Sequence, residues 1–270
     1  MSEAPAADDA PFTALVLAGS RSPDDPVANA AGVAHKCLAP VAGVPMLVRV
    51  VETLAACPGV DRIAVALEDP ALLDELPALR PLIEAGRCTL LATAATPSLS
   101  VQRALDDLVD PLPLLVTTGD HPLLTPEIVA HFCAAARRTG ADLAAGLTPA
   151  SAIEEAYPNA QRTYLRFRDE RYSGANLFTV LKPEGRRAVA FWRRVEQERK
   201  RPWRLVRAFG WRPLVAYLLG RLTLEDAMAR ASRVIGARIA AVVMPHPEAA
   251  IDVDKPADLA LVETILARRR

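Results

Sequence analysis

Apolar positions in the first half of the chain fall into short unbroken runs, each followed by a stretch with helical spacing. The run over 12–18 ("FTALVLA") ends in Gly19, the pattern of a strand buried on both faces. Pro45 then opens "MLVRVVETLAAC", whose apolar residues recur every three or four positions until Pro58 and Gly59 stop it. Further strands are expected over 62–67 ("RIAVAL"), 88–93 ("CTLLAT") and 113–120 ("PLLVTTGD"). Between and after them lie helical stretches over 71–79, over "SVQRALDDL" with Ser98 or Ser100 as N-cap, and over "TPEIVAHFCAAARRTG". The last has Thr125 as N-cap, Pro126 in its first turn and Gly140 at its end. "ADLAAGL" is a fifth strand. This alternation predicts an α/β three-layer sandwich around a mostly parallel central sheet.

The second half is less regular. Thr163 to Leu181 reads as two short strands around a charged turn, and Glu184 to about Leu219 as a long helical region. "TLEDAMARASRVIG" is a further helix, "RIAAVVMP" a strand, "IDVDKP" a turn and "ADLALVETILARRR" a closing helix. The acidic tail over 1–11 is expected to be disordered, leaving one domain over 12–270 with a helical insert at about 184–232.

Composition narrows the classes of function. With 51% hydrophobic residues a large core is available, and 32 basic against 32 acidic residues leave no global field for nucleic acid. Cys37, Cys57, Cys88 and Cys133 have no CxxC pairing and no His at zinc-ligand spacing, so they read as buried thiols in a reducing compartment. The N-terminus lacks a basic segment followed by an apolar one, and no apolar run reaches the about 20 residues needed to span a bilayer. The expected location is the cytoplasm. Four histidines with no triad-like context argue against nucleophilic catalysis.

Chemistry concentrates at strand ends. A buried strand ending in "LAGSR" before a loop is a common way to hold phosphates on backbone N–H groups, although it matches neither GxxxxGK[ST] nor GxGxxG and also suits an ordinary βα turn. Asp120 closes a central strand, where open α/β sheets place ligands.

"LVLAGSR…HKCLAPVAGVPML" resembles the N-terminal signature of nucleotidyltransferases with a GT-A-like Rossmann fold, through Ala18, Gly19, Arg21, Lys36, Pro40, Gly43, Pro45 and Met46. That family includes nucleotide-sugar pyrophosphorylases, the molybdenum-cofactor nucleotidyltransferases and the cytidylyltransferase of isoprenoid synthesis. Here the loop is longer than usual, and Ser20 stands where a second Gly is common. "SLSVQRAL", "VTTGDHPLLT", "RYSGANLF" and "IDVDKPADL" resemble later elements of the family, in the same order. The resemblance implies that Leu17, Ala18, Gly19, Ser20, Ser100 and Gly119 bind the nucleotide, and that Arg21 and Lys36 are catalytic cations. It further implies Asp120 and Asp252 as ligands of Mg²⁺, Asp254 as a supporting group or cap, and Gly174, Asn176 and Lys182 on the acceptor side. Ser100 serves equally as a helix cap, and Asn176 as a buried turn residue. The implied partners are a nucleoside triphosphate and a phosphorylated acceptor, either a small molecule or lipid-linked.

From Arg186 to Arg212 the chain carries ten Arg or Lys against two Glu, interleaved with all three tryptophans. Such a stretch is ordinarily a solvated face. It also fits a helix lying on an anionic membrane, so the 186–219 region is a candidate for peripheral contact at the inner face of the membrane. Two other functions share these features. A glycosyltransferase on the same fold would want Asp-x-Asp after the central strand, where "TTGDHP" has one Asp. A non-catalytic nucleotide-binding or membrane-recruiting module would have little use for a split pair of carboxylates.

Overall fold

The computed structural model describes residues 10–19, 24–198 and 210–269. Most of the tail, Ser20, Arg21, Trp203 and Phe209 lie outside the described residues. In chain order the strands are β1 (Phe12–Leu17), β2 (Pro40–Val41), β3 (Val44–Pro45), β4 (Val60–Leu67), β5 (Cys88–Ala92), β6 (Leu114–Thr118), β7 (Leu143–Pro149), β8 (Leu165–Arg166), β9 (Arg171–Val180) and β10 (Ile239–Val243). The helices are α1 (Pro26–Ala31), α2 (Met46–Ala55), α3 (Arg80–Glu84), α4 (Pro97–Asp107), α5 (Pro126–Arg138), α6 (Ala150–Ala156), α7 (Arg186–Glu198), α8 (Trp211–Leu218), α9 (Leu224–Ile235) and α10 (Pro256–Arg268).

The sheet runs β10–β7–β9–β6–β1–β4–β5, with β8 added beside β9. The pairs β1/β4, β1/β6, β4/β5 and β7/β10 are parallel. Among the described strands of this sheet only β9 runs the other way, antiparallel to β6, β7 and β8. β1 feeds β4 on one side, and the chain later returns to β6 on the other. The loops leaving β1 and β6 therefore diverge at their carboxyl ends and open a crevice there.

Strand pleating distributes the core. Ala14 and Val16 of β1 share a cluster with Val48, Val51 and Leu54 of α2 and Ile128, Phe132 and Ala136 of α5. Leu15, between them, joins Val101, Ala104 and Leu105 of α4 and Val189 of α7. These two clusters are the outer layers of the sandwich, and each fully buried aliphatic or Phe side chain contributes about 1.5–3 kcal/mol relative to exposure. A third cluster joins Val262 and Ile265 of α10 to Val27 of α1, Val41 of β2, Met46, Leu123, Ile251 and Val253. It fastens the last helix against the β2–β3 hairpin.

Local readings are corrected at several points. The stretch 71–79 forms two 3₁₀ turns, Pro70–Glu75 and Pro77–Leu79, ahead of α3, because Pro70, Pro77 and Pro81 each lack an N–H donor. The cap of α4 is Thr96, whose hydroxyl accepts from the Leu99 N–H at 3.3 Å, rather than Ser98 or Ser100. The two expected short strands are a two-residue β8 and a ten-residue β9. Part of the helical insert over 184–232 packs into the core. Val189 of α7 is buried in the core, and Trp192 stacks on Phe178 of β9 with ring centroids 5.7 Å apart.

Candidate active site

Gly119 follows β6 and donates its N–H to Leu17 O at 2.9 Å, tying the exits of β6 and β1 together. A Cβ at this position would lie 3.0 Å from Cys37 Sγ and 3.2 Å from Ala18 Cβ, so only glycine lets the 36–38 turn pack beneath it. That 3₁₀ turn is capped by His35, whose Nδ1 accepts from the Cys37 N–H at 3.1 Å. Lys36 is thereby delivered to the next residue: its Nζ lies 2.6 Å from Asp120 Oδ2 and 2.9 Å from Asp254 Oδ1.

The turn before α10 reaches the same place. Val253 N–H donates to Asp120 O at 2.9 Å, so the segment carrying Asp252 and Asp254 is stitched to the end of β6 by backbone. Asp258, in the first turn of α10, accepts from the N–H groups of Asp254 and Lys255 at 3.1 and 2.9 Å, which fixes the turn. Asp254 thus accepts from Lys36 through its side chain while its own N–H is held by Asp258.

Asp252 is held on both oxygens. Oδ2 accepts from Asn176 Nδ2 at 2.7 Å, and Oδ1 from Arg162 Nη1 at 2.6 Å. Asn176 lies within β9 at φ 48°, a left-handed backbone that Asn tolerates better than most residues. It sits where the β7–β9 register slips between Ala145 and Leu147, and this bulge is what aims the amide at Asp252. Gly174, opposite Leu147, is exposed with open space where a Cβ would stand. Arg162 precedes β8 in an irregular segment. Its side chain is 7% exposed, and its guanidinium also bonds Asp258 Oδ1 at 2.6 Å through Nη2. No periodicity or spacing in the sequence marked this arginine.

Charge follows from these contacts. Burial, then the Asp120 and Asp254 carboxylates, push the Asp252 carboxyl up to about 6, against the opposing pull of Arg162 and Asn176. Burial alone would lower Lys36, but Asp120 and Asp254 outweigh it and hold the ammonium above its usual range. His121 is buried and kept neutral by that burial, with Nε2 3.2 Å from Glu248 O. Cys37 is pushed up mainly by burial, so it stays a thiol. Asp120 Oδ1 is buried with no hydrogen-bond partner among the described residues. No group of three or more His, Cys, Asp or Glu residues able to hold a metal occurs among the described residues.

The remaining expected residues separate. Ala18 is buried, with its N–H on Ala66 O at 3.0 Å, and Leu17 is half-buried. Gly19 is exposed, and a Cβ there would approach Thr93 Cγ2 to 3.1 Å. Ser20 and Arg21 lie outside the described residues. Ser100 is 6% exposed, and its hydroxyl accepts from the Ala94 N–H at 2.9 Å, so it props the loop after β5 from below. Lys182 is misplaced as an acceptor contact. Because β9 runs against its neighbours, Lys182 leaves it at the opposite edge of the sheet, beside Gly140 O at 3.2 Å.

A crevice at the carboxyl ends of β1 and β6 thus gathers a lysine and two carboxylates from three distant segments. The profile of the MobA-like NTP transferase domain matches residues 14–240. The chain belongs to that family. As a member it is a nucleotidyltransferase; Lys36 and Asp120 lie inside the matched span and Asp252 beyond it. Among solved structures, a hypothetical transferase from Thermus thermophilus is 34% identical, with a TM-score of 0.76 over 92% of this chain and 99% of its own. Two more distant structures share the fold. 4-diphosphocytidyl-2C-methyl-D-erythritol synthase from Anaerococcus prevotii is 14% identical, with a TM-score of 0.56 over 97% of this chain and 99% of its own. CMP:2-keto-3-deoxy-manno-octonic acid synthetase complexed with CTP is 16% identical, with a TM-score of 0.59 over 96% of this chain and 100% of its own. Among curated proteins, none matches the chain. No helix among the described residues is long and apolar enough to cross a membrane.

Proposed function

We propose that this chain transfers a nucleoside monophosphate from a nucleoside triphosphate to a phosphorylated acceptor, with Mg²⁺ as cofactor and release of pyrophosphate. The supporting observation is the meeting of Lys36, Asp120 and the Asp252 turn at one point, joined by the 2.6 Å ion pair and the 2.9 Å backbone hydrogen bond. Mg²⁺ prefers hard oxygen donors, and Asp120 Oδ1 is a buried oxygen with no partner among the described residues. Asp120, Asp252, Asp254 and Asp258 converge there with Lys36 and Arg162, a carboxylate-rich setting that suits a dication. Asp120 and Asp252 would hold the ion, which when bound neutralises and orients the triphosphate oxygens.

The residues then position reactants rather than form covalent bonds. An oxygen of the acceptor phosphate attacks the α-phosphorus in line. A new P–O bond forms as the bond to the β-phosphate breaks, and pyrophosphate leaves with the electron pair. A phosphate dianion needs no general base, in keeping with a neutral, buried His121. Lys36, charged throughout the neutral range, offsets charge on the triphosphate, and Arg21 is assigned the same role. Leu17, Ala18, Gly19, Ser20 and Gly119 form the nucleotide cradle, while Gly174 and Asn176 face the acceptor.

The acceptor is a sugar phosphate, a molybdopterin-like phosphate or a lipid-headgroup phosphate. One observation favours lipid: α8 exposes Trp211 (65%) and Leu218 (72%), and Tyr217 at its end receives the Arg166 N–H of the β8–β9 hairpin at 3.4 Å. Flotation with anionic liposomes tests peripheral contact; failure to float, or equal flotation of a Trp203→Ala/Trp211→Ala variant, removes it. For the reaction itself, the four ribonucleoside triphosphates are screened against the three acceptor classes for acceptor-dependent pyrophosphate release. Release lost in a folded Asp120→Asn variant supports the reading. Turnover of nucleotide sugars with triphosphates left intact would replace it with a glycosyltransferase.

A further inference from the structure

Arg162 has no place in the reaction just described, yet it is the most buried charged side chain in the site. Its guanidinium bridges two carboxylates: Nη1 to Asp252 Oδ1 and Nη2 to Asp258 Oδ1, both at 2.6 Å. Asp258 is itself anchored by two backbone N–H groups of the turn, so the arginine is braced from behind through Nη2 and presents Nη1 to Asp252. A third contact, Nη1 to Asp252 O at 3.3 Å, adds to the brace. Orientation of Asp252 does not require all of this, because Asn176 holds Oδ2 and the Val253 N–H ties the turn to Asp120. What Arg162 adds is a positive charge at 2.6 Å. Lys36 does the same for Asp120. Each carboxylate assigned to the cation already has a cation of the protein's own.

We propose that Arg162 is a resident counter-ion that keeps a bare divalent cation off Asp252, so that the metal arrives together with the triphosphate rather than ahead of it. The inference rests on the assignment of Asp120 and Asp252 as the metal pair. Its physics is like-charge repulsion across a few ångströms in a partly desolvated site, where a fixed guanidinium opposes a dication strongly. A nucleotide-bound cation brings compensating negative charge and meets a smaller barrier. Arg162 is a positioning residue in this scheme, since it acts through Asp252 and touches no substrate.

Mn²⁺ binding, followed by electron paramagnetic resonance with and without a non-hydrolysable nucleoside triphosphate analogue, tests this without turnover. Wild type is expected to bind Mn²⁺ weakly alone and well with nucleotide. Arg162→Gln is expected to tighten binding of Mn²⁺ alone by about tenfold and to shrink the gain from nucleotide, whereas Arg162→Lys, which keeps the charge, behaves as wild type. An Arg162→Gln/Asp258→Asn double variant removes the guanidinium without stranding Asp258 and covers the case in which the single variant does not fold. Unchanged or weaker binding of Mn²⁺ alone in the folded uncharged variants overturns the proposal, as does tight binding by Arg162→Lys. If wild type binds no Mn²⁺ even with nucleotide, and Asp120→Asn matches it, the metal pair itself is wrong. That outcome is separate from a failure confined to Arg162.

Discussion

Among the described residues Lys36 carries two ion pairs and no neutral partner, so its removal leaves Asp120 and Asp254 repelling each other across the crevice. Lys36→Ala should lower nucleotidyl transfer by about 10²–10³-fold, as expected for loss of a preorganised charge, while the fold survives. Asp252 sets a pH limit. Its carboxyl, raised to about 6 by burial and then by Asp120 and Asp254, must be ionised to bind a cation. At limiting Mg²⁺, transfer should fall about tenfold per pH unit below about 6, and saturating Mg²⁺ should move that limb to lower pH. Stability has the opposite sign. The native state holds this proton more tightly than the unfolded chain, so the contribution of Asp252 to stability declines as pH rises from its ordinary range to about 6. Asp252→Asn, free of that penalty, should raise the melting temperature of the metal-free protein at pH 8, and the advantage should shrink below pH 6. Asp120 was legible as a carboxylate closing an apolar strand, whereas Lys36 and Asp252 were marked only through the family resemblance. Arg162 was not legible, since a cation in an irregular segment is ordinarily solvated and only the tertiary path buries it.

At the level of elements, the β6 exit and the β9 bulge decide where the site forms. A Cβ at Gly119 would meet Cys37 Sγ at 3.0 Å, so Gly119→Ala should cost about 1–3 kcal/mol in chemical denaturation and loosen the Lys36 turn. At Asn176 the backbone and the amide are separable. Asn176→Gly keeps φ 48° without strain and should hold stability while losing acceptor-dependent transfer; Asn176→Ala should lose both, with about 1 kcal/mol of destabilisation. The βα alternation was readable from periodicity because parallel strands buried on both faces are continuous in apolarity. The direction of β9 was not, since a strand looks alike in either sense. This is why Lys182 was read onto the wrong edge.

Across the whole molecule, the third cluster makes the last helix a structural partner of the first loop. Val262 and Ile265 pack with Val27, Val41 and Met46, so contacts far from the crevice hold the Asp252 turn against Asp120. Ile265→Ala should cost about 2–5 kcal/mol and, at temperatures where the protein stays folded, weaken Mn²⁺ binding in the presence of nucleotide. A larger consequence follows from the lone reversed strand. In the proposed scheme it brings Gly174 and Asn176 to the acceptor from the far half of the chain, whereas the residues assigned to the triphosphate cradle all precede residue 121. On that scheme the two substrates are recognised by separately encoded stretches. Grafting the 157–181 stretch between homologues should exchange acceptor preference and leave the choice of base with the recipient.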